Sequence, residues 1–164
     1  VISKIPEINR ILYATDLSEN ARYAFGYAAG LANCYGARIT ILHVLEEPSP
    51  NTLLILHAWS GQQGWEEIKQ RKQGRVVQEI RDRIEGFCEE MRSKLPECPF
   101  MVDDILVETG HPVERILHHS DHTQCDLVVM GSRGHGLLKD VVMGSTSQRV
   151  LRRSPKPVLV IPLP

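Results

Sequence analysis

Short apolar runs alternate with longer stretches of helical periodicity along this chain. Ile11-Leu12-Tyr13-Ala14, closed by Thr15-Asp16, predicts a buried strand. Ser18 has the side chain of an N-cap. Ala21, Phe25, Ala28 and Ala32 then recur at helical spacing, and Gly36 stands where that helix should stop. Ile39–Leu45 is the second run, and its near-continuous apolar character suits a strand covered on both faces. A long amphipathic helix is predicted from Trp65. Val76, Val77, Ile80, Ile84, Phe87, Cys88, Met91 and Leu95 mark its inner face, and Pro96 and Pro99 end it. Asp104-Ile105-Leu106-Val107 predicts a third strand. Gly110-His111-Pro112 makes a turn into a helix whose inner face is Val113, Ile116 and Leu117. Asp126–Met130 predicts a fourth strand, a glycine-rich segment follows, and a helix runs from about Ser145 to Arg152. Pro157–Pro162 encloses a fifth strand. This β-α-β-α-β-α-β-α-β order predicts a doubly wound α/β fold on a parallel sheet, with right-handed crossovers.

One stretch breaks the alternation. Glu46–Gly64 opens with Glu47-Pro48-Ser49-Pro50, ends with Gly61-Gln62-Gln63-Gly64, and carries Leu53-Leu54-Ile55-Leu56 and Trp59 between. It reads as a long excursion with at most one short helical piece. Its apolar residues can tuck against the body or cover a ligand or partner, and tucking is the simpler outcome.

At 164 residues the expectation is one domain over 1–164, large enough to fold without staples. With 19 basic and 20 acidic residues the net charge is −1, which argues against wholesale binding to nucleic acid or anionic membrane. The four cysteines include no C-x-x-C pair, so free thiols in a reducing cytoplasm are expected. Val1–Arg10 lacks the apolar core of a signal peptide, and Leu53–Leu56 is far too short to span a bilayer.

Ligands of open parallel sheets bind at the carboxyl ends of the strands, where strand order reverses. The segments that follow the strands therefore carry the candidate chemistry: Asp16 after the first, Val44 and Leu45 at the second, and Gly131–Thr146 after the fourth. Gly131 and Gly134 allow close backbone approach. Gly144-Ser145-Thr146 opens a helix whose free N–H groups and dipole favour a phosphate, and the hydroxyls of Ser145 and Thr146 add donors. Each piece alone is ordinarily a turn or a cap; their joint spacing sets them apart.

That spacing, Gly131-x-x-Gly134 and then nine residues to Gly144-Ser145, resembles the glycine signature of the universal stress protein family. Ile11–Ser18, Leu42-His43-Val44, Asp126–Gly131 and Pro157–Val160 resemble that family's strands in the same order, over essentially the whole chain. The resemblance implies a Rossmann-like, five-stranded sheet of order 3-2-1-4-5 with helices on both faces, similar to the adenine nucleotide alpha hydrolases. It implies ATP, or another adenine nucleotide, with Mg²⁺ or Mn²⁺. By the same resemblance adenine lies near Ala14 and Val44, and Asp16 lies by the ribose or, through the metal, by the phosphates. Met130 and Gly131 line the nucleotide, and Gly134, Gly144, Ser145 and Thr146 hold ribose and phosphates. Ala14 stands where some ATP-binding members carry Pro. A homodimer through the strand 158–161 is implied too. The expected function is a nucleotide-dependent switch in the stress response, read by a signalling partner, with at most slow hydrolysis. No general base, no G-x4-G-K-[ST] loop and no H-E-x-x-H motif is evident. The alternatives are an adenylate-transferring enzyme and a nucleotide-free interaction module that uses the excursion.

Two histidine features stand outside this scheme. His43 lies in an apolar strand and reads as a hydrogen-bonded core histidine. His118 and His122 share a helix face, near His119, Asp121 and Cys125. Such a pair can bind Zn²⁺ or Ni²⁺, yet falls short of the three or four ligands of zinc sites, and an exposed polar helix end is the simpler reading.

Overall fold

The computed structural model describes residues 5–47, 62–133 and 143–162. Its elements run β1 (Arg10–Thr15), α1 (Glu19–Tyr35), β2 (Arg38–Leu45), α2 (Gln62–Lys94), β3 (Met101–Thr109), α3 (Pro112–His122), β4 (Leu127–Gly131), α4 (Ser145–Arg153) and β5 (Val158–Ile161). The five strands form one sheet of order β3-β2-β1-β4-β5, and every pairing is parallel.

Alternation along β1 explains why the sheet is covered on both faces. Ile11 and Tyr13 join a cluster with Ala24, Phe25 and Ala28 of α1 and Ile84 and Cys88 of α2. Leu12 and Ala14 join the other, with Val113 and Ile116 of α3 and Val150 of α4. All four of these β1 residues are buried. The first core is organised around Phe25, whose ring meets those of Tyr13, Phe87 and Phe100 edge to face at centroid distances of 5.3, 5.0 and 5.2 Å.

Local signals act as expected at α1. Ser18 caps it by accepting from the Ala21 N–H, and Gly36 ends it in the left-handed region at φ 64°. At the amino end of the sheet, Asp126 Oδ2 accepts from the backbone N–H groups of Asn9 and Arg10 at 2.8 and 2.9 Å, which fastens the entry of β1 beside β4.

Three expectations are corrected. Val76 is exposed rather than on the inner face of α2, because Ile84 and Cys88 set the buried stripe and Val76 lies off it. Leu95 follows the helix, which ends at Lys94. The third strand extends to Met101–Thr109, well beyond 104–107. It is an edge strand with Asp103 and Asp104 exposed, so charge interrupts its apolar pattern while the ladder to β2 continues, with a register shift opposite Ile39/Thr40. Most of the excursion at 46–64, and Gly134, lie outside the described residues. No described helix is long and apolar enough to cross a membrane.

Candidate functional site

From β1 the chain first travels outward through β2 and β3, then returns to lay β4 and β5 on the other side of β1. The strand order therefore reverses between β1 and β4. A cavity of about 480 Å³ opens there, at the carboxyl ends of β1, β2 and β4. Its floor is fixed by register: Ala14 lies between Leu42 of β2 and Met130 of β4. Ala14, Leu42, Val44 and Met130 belong to the core cluster on the α3 and α4 side, so they present one apolar surface. Ala14 is small, which leaves room between its two larger neighbours.

Asp16 sits on the rim, in a turn built by its own side chain. Its Oδ1 accepts from the Ser18 N–H at 3.1 Å and from Ser18 Oγ at 2.8 Å. Ser18 Oγ in turn accepts from the Ala21 N–H at 3.2 Å. The carboxylate thereby reaches the first turn of α1 through one hydroxyl. Leu17, between the two, has φ 62°, an uncommon conformation for a side chain of this bulk. The Leu17 N–H donates to Thr15 Oγ1 at 3.1 Å, which helps hold that shape.

Opposite this turn stands the start of α4. Gly144 is its N-cap, in extended conformation and without a side-chain cap bond, and the first turn carries no acidic residue. The positive end of the helix dipole is thus left to the cavity, while Arg152 and Arg153 complement the other end. Ser145 is exposed and Thr146 half-buried, and both line the cavity. Ser132 fastens this corner. Its carbonyl accepts from the Gly144 N–H at 2.7 Å and from Ser147 Oγ at 2.8 Å. Its own N–H donates to the Ile161 carbonyl at 2.8 Å, so β4, α4 and β5 meet at one residue.

The structure brings Ala14, Asp16, Val44, Met130, Gly131, Gly144, Ser145 and Thr146 around this one cavity. Sequence reasoning missed Tyr13, Leu42, Ile116, Ser132 and Ser147 as lining residues. Ser132 stands inside the glycine segment and was open to notice; Ile116 and Ser147 carry no local signal. His43 is a hydrogen-bonded, buried histidine as expected, with Nδ1 2.9 Å from the Thr15 carbonyl, and it lines the cavity as well. The carbonyl can only accept, so Nδ1 carries the hydrogen. Burial pushes the Tyr13 hydroxyl well above the usual tyrosine range, and that hydroxyl donates to the Ala21 carbonyl at 2.6 Å. It is a structural group, committed to the backbone of α1.

The model of the universal stress protein family matches residues 7–162. The chain belongs to the universal stress protein family. Universal stress protein MJ0577 of Methanocaldococcus jannaschii is 28% identical over 152 residues, which cover 93% of each chain. A universal stress protein of Thermus aquaticus is 32% identical over 151 residues, covering 92% of this chain and 96% of its own. The solved structure of MJ0577 superimposes with a TM-score of 0.73 at 26% identity, over 95% of this chain and 96% of that one. Two more distant members share the fold. One is in complex with cAMP (TM-score 0.56, 19% identity, 95% and 98% covered). The other, from Archaeoglobus fulgidus, is in complex with dAMP (TM-score 0.51, 16% identity, 94% and 97% covered).

Proposed function

We propose that this universal stress protein binds an adenine nucleotide, ATP in the first instance, in the cavity between β1 and β4, and acts as a nucleotide-dependent switch. The observation that carries the reading is the pairing of an apolar slot with an anion-favouring helix start across a single cavity. An adenine ring suits the slot over Ala14, Val44 and Met130, which is apolar and open to backbone groups. The phosphates suit the first turn of α4, with Gly131 leaving space and the hydroxyls of Ser145 and Thr146 adding donors. Asp16 faces the remaining portion, the ribose. The fold itself accommodates such ligands, since cAMP and dAMP occupy two other proteins that share it.

A divalent cation, Mg²⁺ or Mn²⁺, fits the donor set only in part. Asp16 and Glu46 are the carboxylates among the lining residues, and Mg²⁺ is ordinarily held by one or two carboxylates together with substrate phosphates. Asp16 would hold it, and the ion would neutralise phosphate charge. Asp16 Oδ1 is engaged by Ser18 and His43 Nδ1 by the Thr15 carbonyl, and we expect at most slow turnover. We also read the protein as a cytoplasmic homodimer joined through β5. That strand closes one edge of the sheet, and Val158, Leu159 and Val160 are only half-buried there, which leaves an apolar edge that a second copy can pair.

The test is calorimetric titration of ATP with Mg²⁺ into protein stripped of nucleotide. Saturation near one ATP per chain is expected. Replacing Gly131 and Gly144 together by valine should abolish it while the far-ultraviolet dichroism is kept. Unchanged affinity in that variant would overturn the assignment. Release of pyrophosphate on incubation with ATP would favour an adenylate-transferring enzyme instead, and absence of binding would favour a nucleotide-free interaction module.

A further inference from the structure

The carboxyl end of α3 carries a histidine pair with no part in the nucleotide cavity. His118 and His122 are both exposed, one turn apart, and their rings stack at 3.8 Å between centroids with 27° between planes. His122 Nδ1 lies 3.0 Å from the His118 carbonyl. A carbonyl only accepts, so Nδ1 donates, and in the neutral ring the lone pair falls on Nε2. This is the arrangement of histidines that ligate metals: one ring nitrogen donates to a carbonyl and fixes the tautomer that offers the other.

We propose that His118 and His122 form a two-imidazole chelate for a divalent transition-metal ion, Cu²⁺ most tightly. Two bonds of ordinary length meeting near a right angle need nitrogens roughly 2.9 Å apart. In the stack the two ring planes are nearly parallel, so their in-plane lone pairs do not converge. Both side chains are exposed and lie one turn apart, and the chelate forms when His118 turns out of the stack toward Nε2 of His122. The site also lies in the last turn of α3, where the negative end of the helix dipole favours a cation.

The neighbours limit the site to two protein ligands. His119 turns the other way: its Nε2 is buried and lies 3.4 Å from Glu108 Oε1. Cys125 is buried, with its Sγ directed to the Ser120 carbonyl at 3.3 Å. Among the described residues no group of three or more His, Cys, Asp or Glu side chains is placed to hold a metal. Water therefore fills the remaining positions, and the site exchanges its ion readily. A site of this kind has no geometry with which to override intrinsic affinity, so Cu²⁺ leads Ni²⁺ and Zn²⁺. The inference is independent of nucleotide binding.

Titration of untagged, metal-free protein with Cu²⁺ alone, followed by electron paramagnetic resonance, tests it. The expected result is a saturable signal near one Cu²⁺ per chain with nitrogen coordination. His118→Gln and His122→Gln should each weaken it by roughly tenfold or more, a loss of the size seen when even an indirect partner of a metal ligand is removed. His111→Gln, at the other end of the helix, should leave it intact. Both key residues are exposed, so the variants will fold. Absence of saturable binding, or equal binding by the H118Q/H122Q double variant, would overturn the proposal.

Discussion

Asp16 stands in the structure as both a turn builder and a rim carboxylate, and two substitutions separate these roles. Asp16→Ala removes the acceptor for the Ser18 N–H and Oγ, bonds of 3.1 and 2.8 Å. Hydrogen bonds to a charged group contribute about 1.5–3 kcal/mol each, but both partners are only half-buried and can turn to water, so a total near 2 kcal/mol is expected. Part of that loss is indirect. Ser18 Oγ, freed from Asp16, is a looser cap for α1, and Leu17 at φ 62° is then left to its N–H bond with Thr15 Oγ1. For a chain of this size the loss corresponds to a fall in Tm of about 4–8 °C. Asp16→Asn keeps the acceptor oxygen and forfeits only the charge, so its cost should be about half. Urea unfolding measures both. Nucleotide affinity should divide the other way: D16N, nearly as stable as the parent, should bind ATP with Mg²⁺ about tenfold more weakly, a difference of about 1.4 kcal/mol. A D16A variant within 0.5 kcal/mol of the parent, a limit of roughly ordinary surface substitutions, would refute the account of the turn. A D16N variant with full affinity would confine Asp16 to the turn.

Asp126→Ala strips the Asn9 and Arg10 N–H groups of their shared carboxylate, and should cost about 2–3 kcal/mol in urea unfolding without altering nucleotide affinity, since the bonds lie at the opposite end of the sheet. Tyr13 has a native pKa raised by burial, so above the ordinary value near 10 the unfolded chain loses its phenolic proton while the folded chain keeps it. Stability must then fall as pH rises through that window, and Tyr13→Phe should show a shallower fall in Tm between about pH 10 and 11. His119 has its pKa lowered by burial, which outweighs the nearby Glu108 carboxylate. Its contribution is therefore lost as pH drops below the ordinary histidine value near 6.5, and His119→Gln should flatten the stability profile there. Ala14→Leu fills the slot between Leu42 and Met130; calorimetry should show ATP binding reduced by at least about tenfold, with about 1–3 kcal/mol of overpacking.

The alternation of strands and helices and the helix starts were legible because each rests on local chemistry, whereas the sheet order 3-2-1-4-5 followed from the family resemblance alone. Ser18 and Gly36 mark the ends of α1 by side-chain oxygen and by freedom at positive φ, and β1 reads as continuous apolar sequence because both its faces are covered. Where tertiary context decides, the sequence was less informative. β3 is an edge strand, so the backbone ladder continues through Asp103 and Asp104 although no apolar pattern does. The glycine segment pointed to the α4 side of the cavity because an anion site at a helix start uses residues adjacent in the chain. Leu42, Ile116 and Ser147 reach the same cavity only through register and helix packing, which no spacing encodes. The turn at Asp16 was visible as residues, but the relay from carboxylate through Ser18 to the helix exists only in the folded turn.

The knot at Ser132 has an evolutionary and practical side. With its carbonyl shared by the Gly144 N–H and the Ser147 hydroxyl and its N–H given to Ile161, Ser132 ties the two roots of the segment that follows β4 with two backbone bonds and one hydroxyl from beyond the segment. Backbone bonds do not depend on which side chains lie between the roots, and doubling the length of such a closure costs only about 0.6 kcal/mol. The segment between Arg133 and Met143 is therefore an insertion port: residues can be exchanged or added there while the sheet and α4 keep their places. A fluorescent reporter spliced between Arg133 and Gly144, which both line the cavity, would turn occupancy into light.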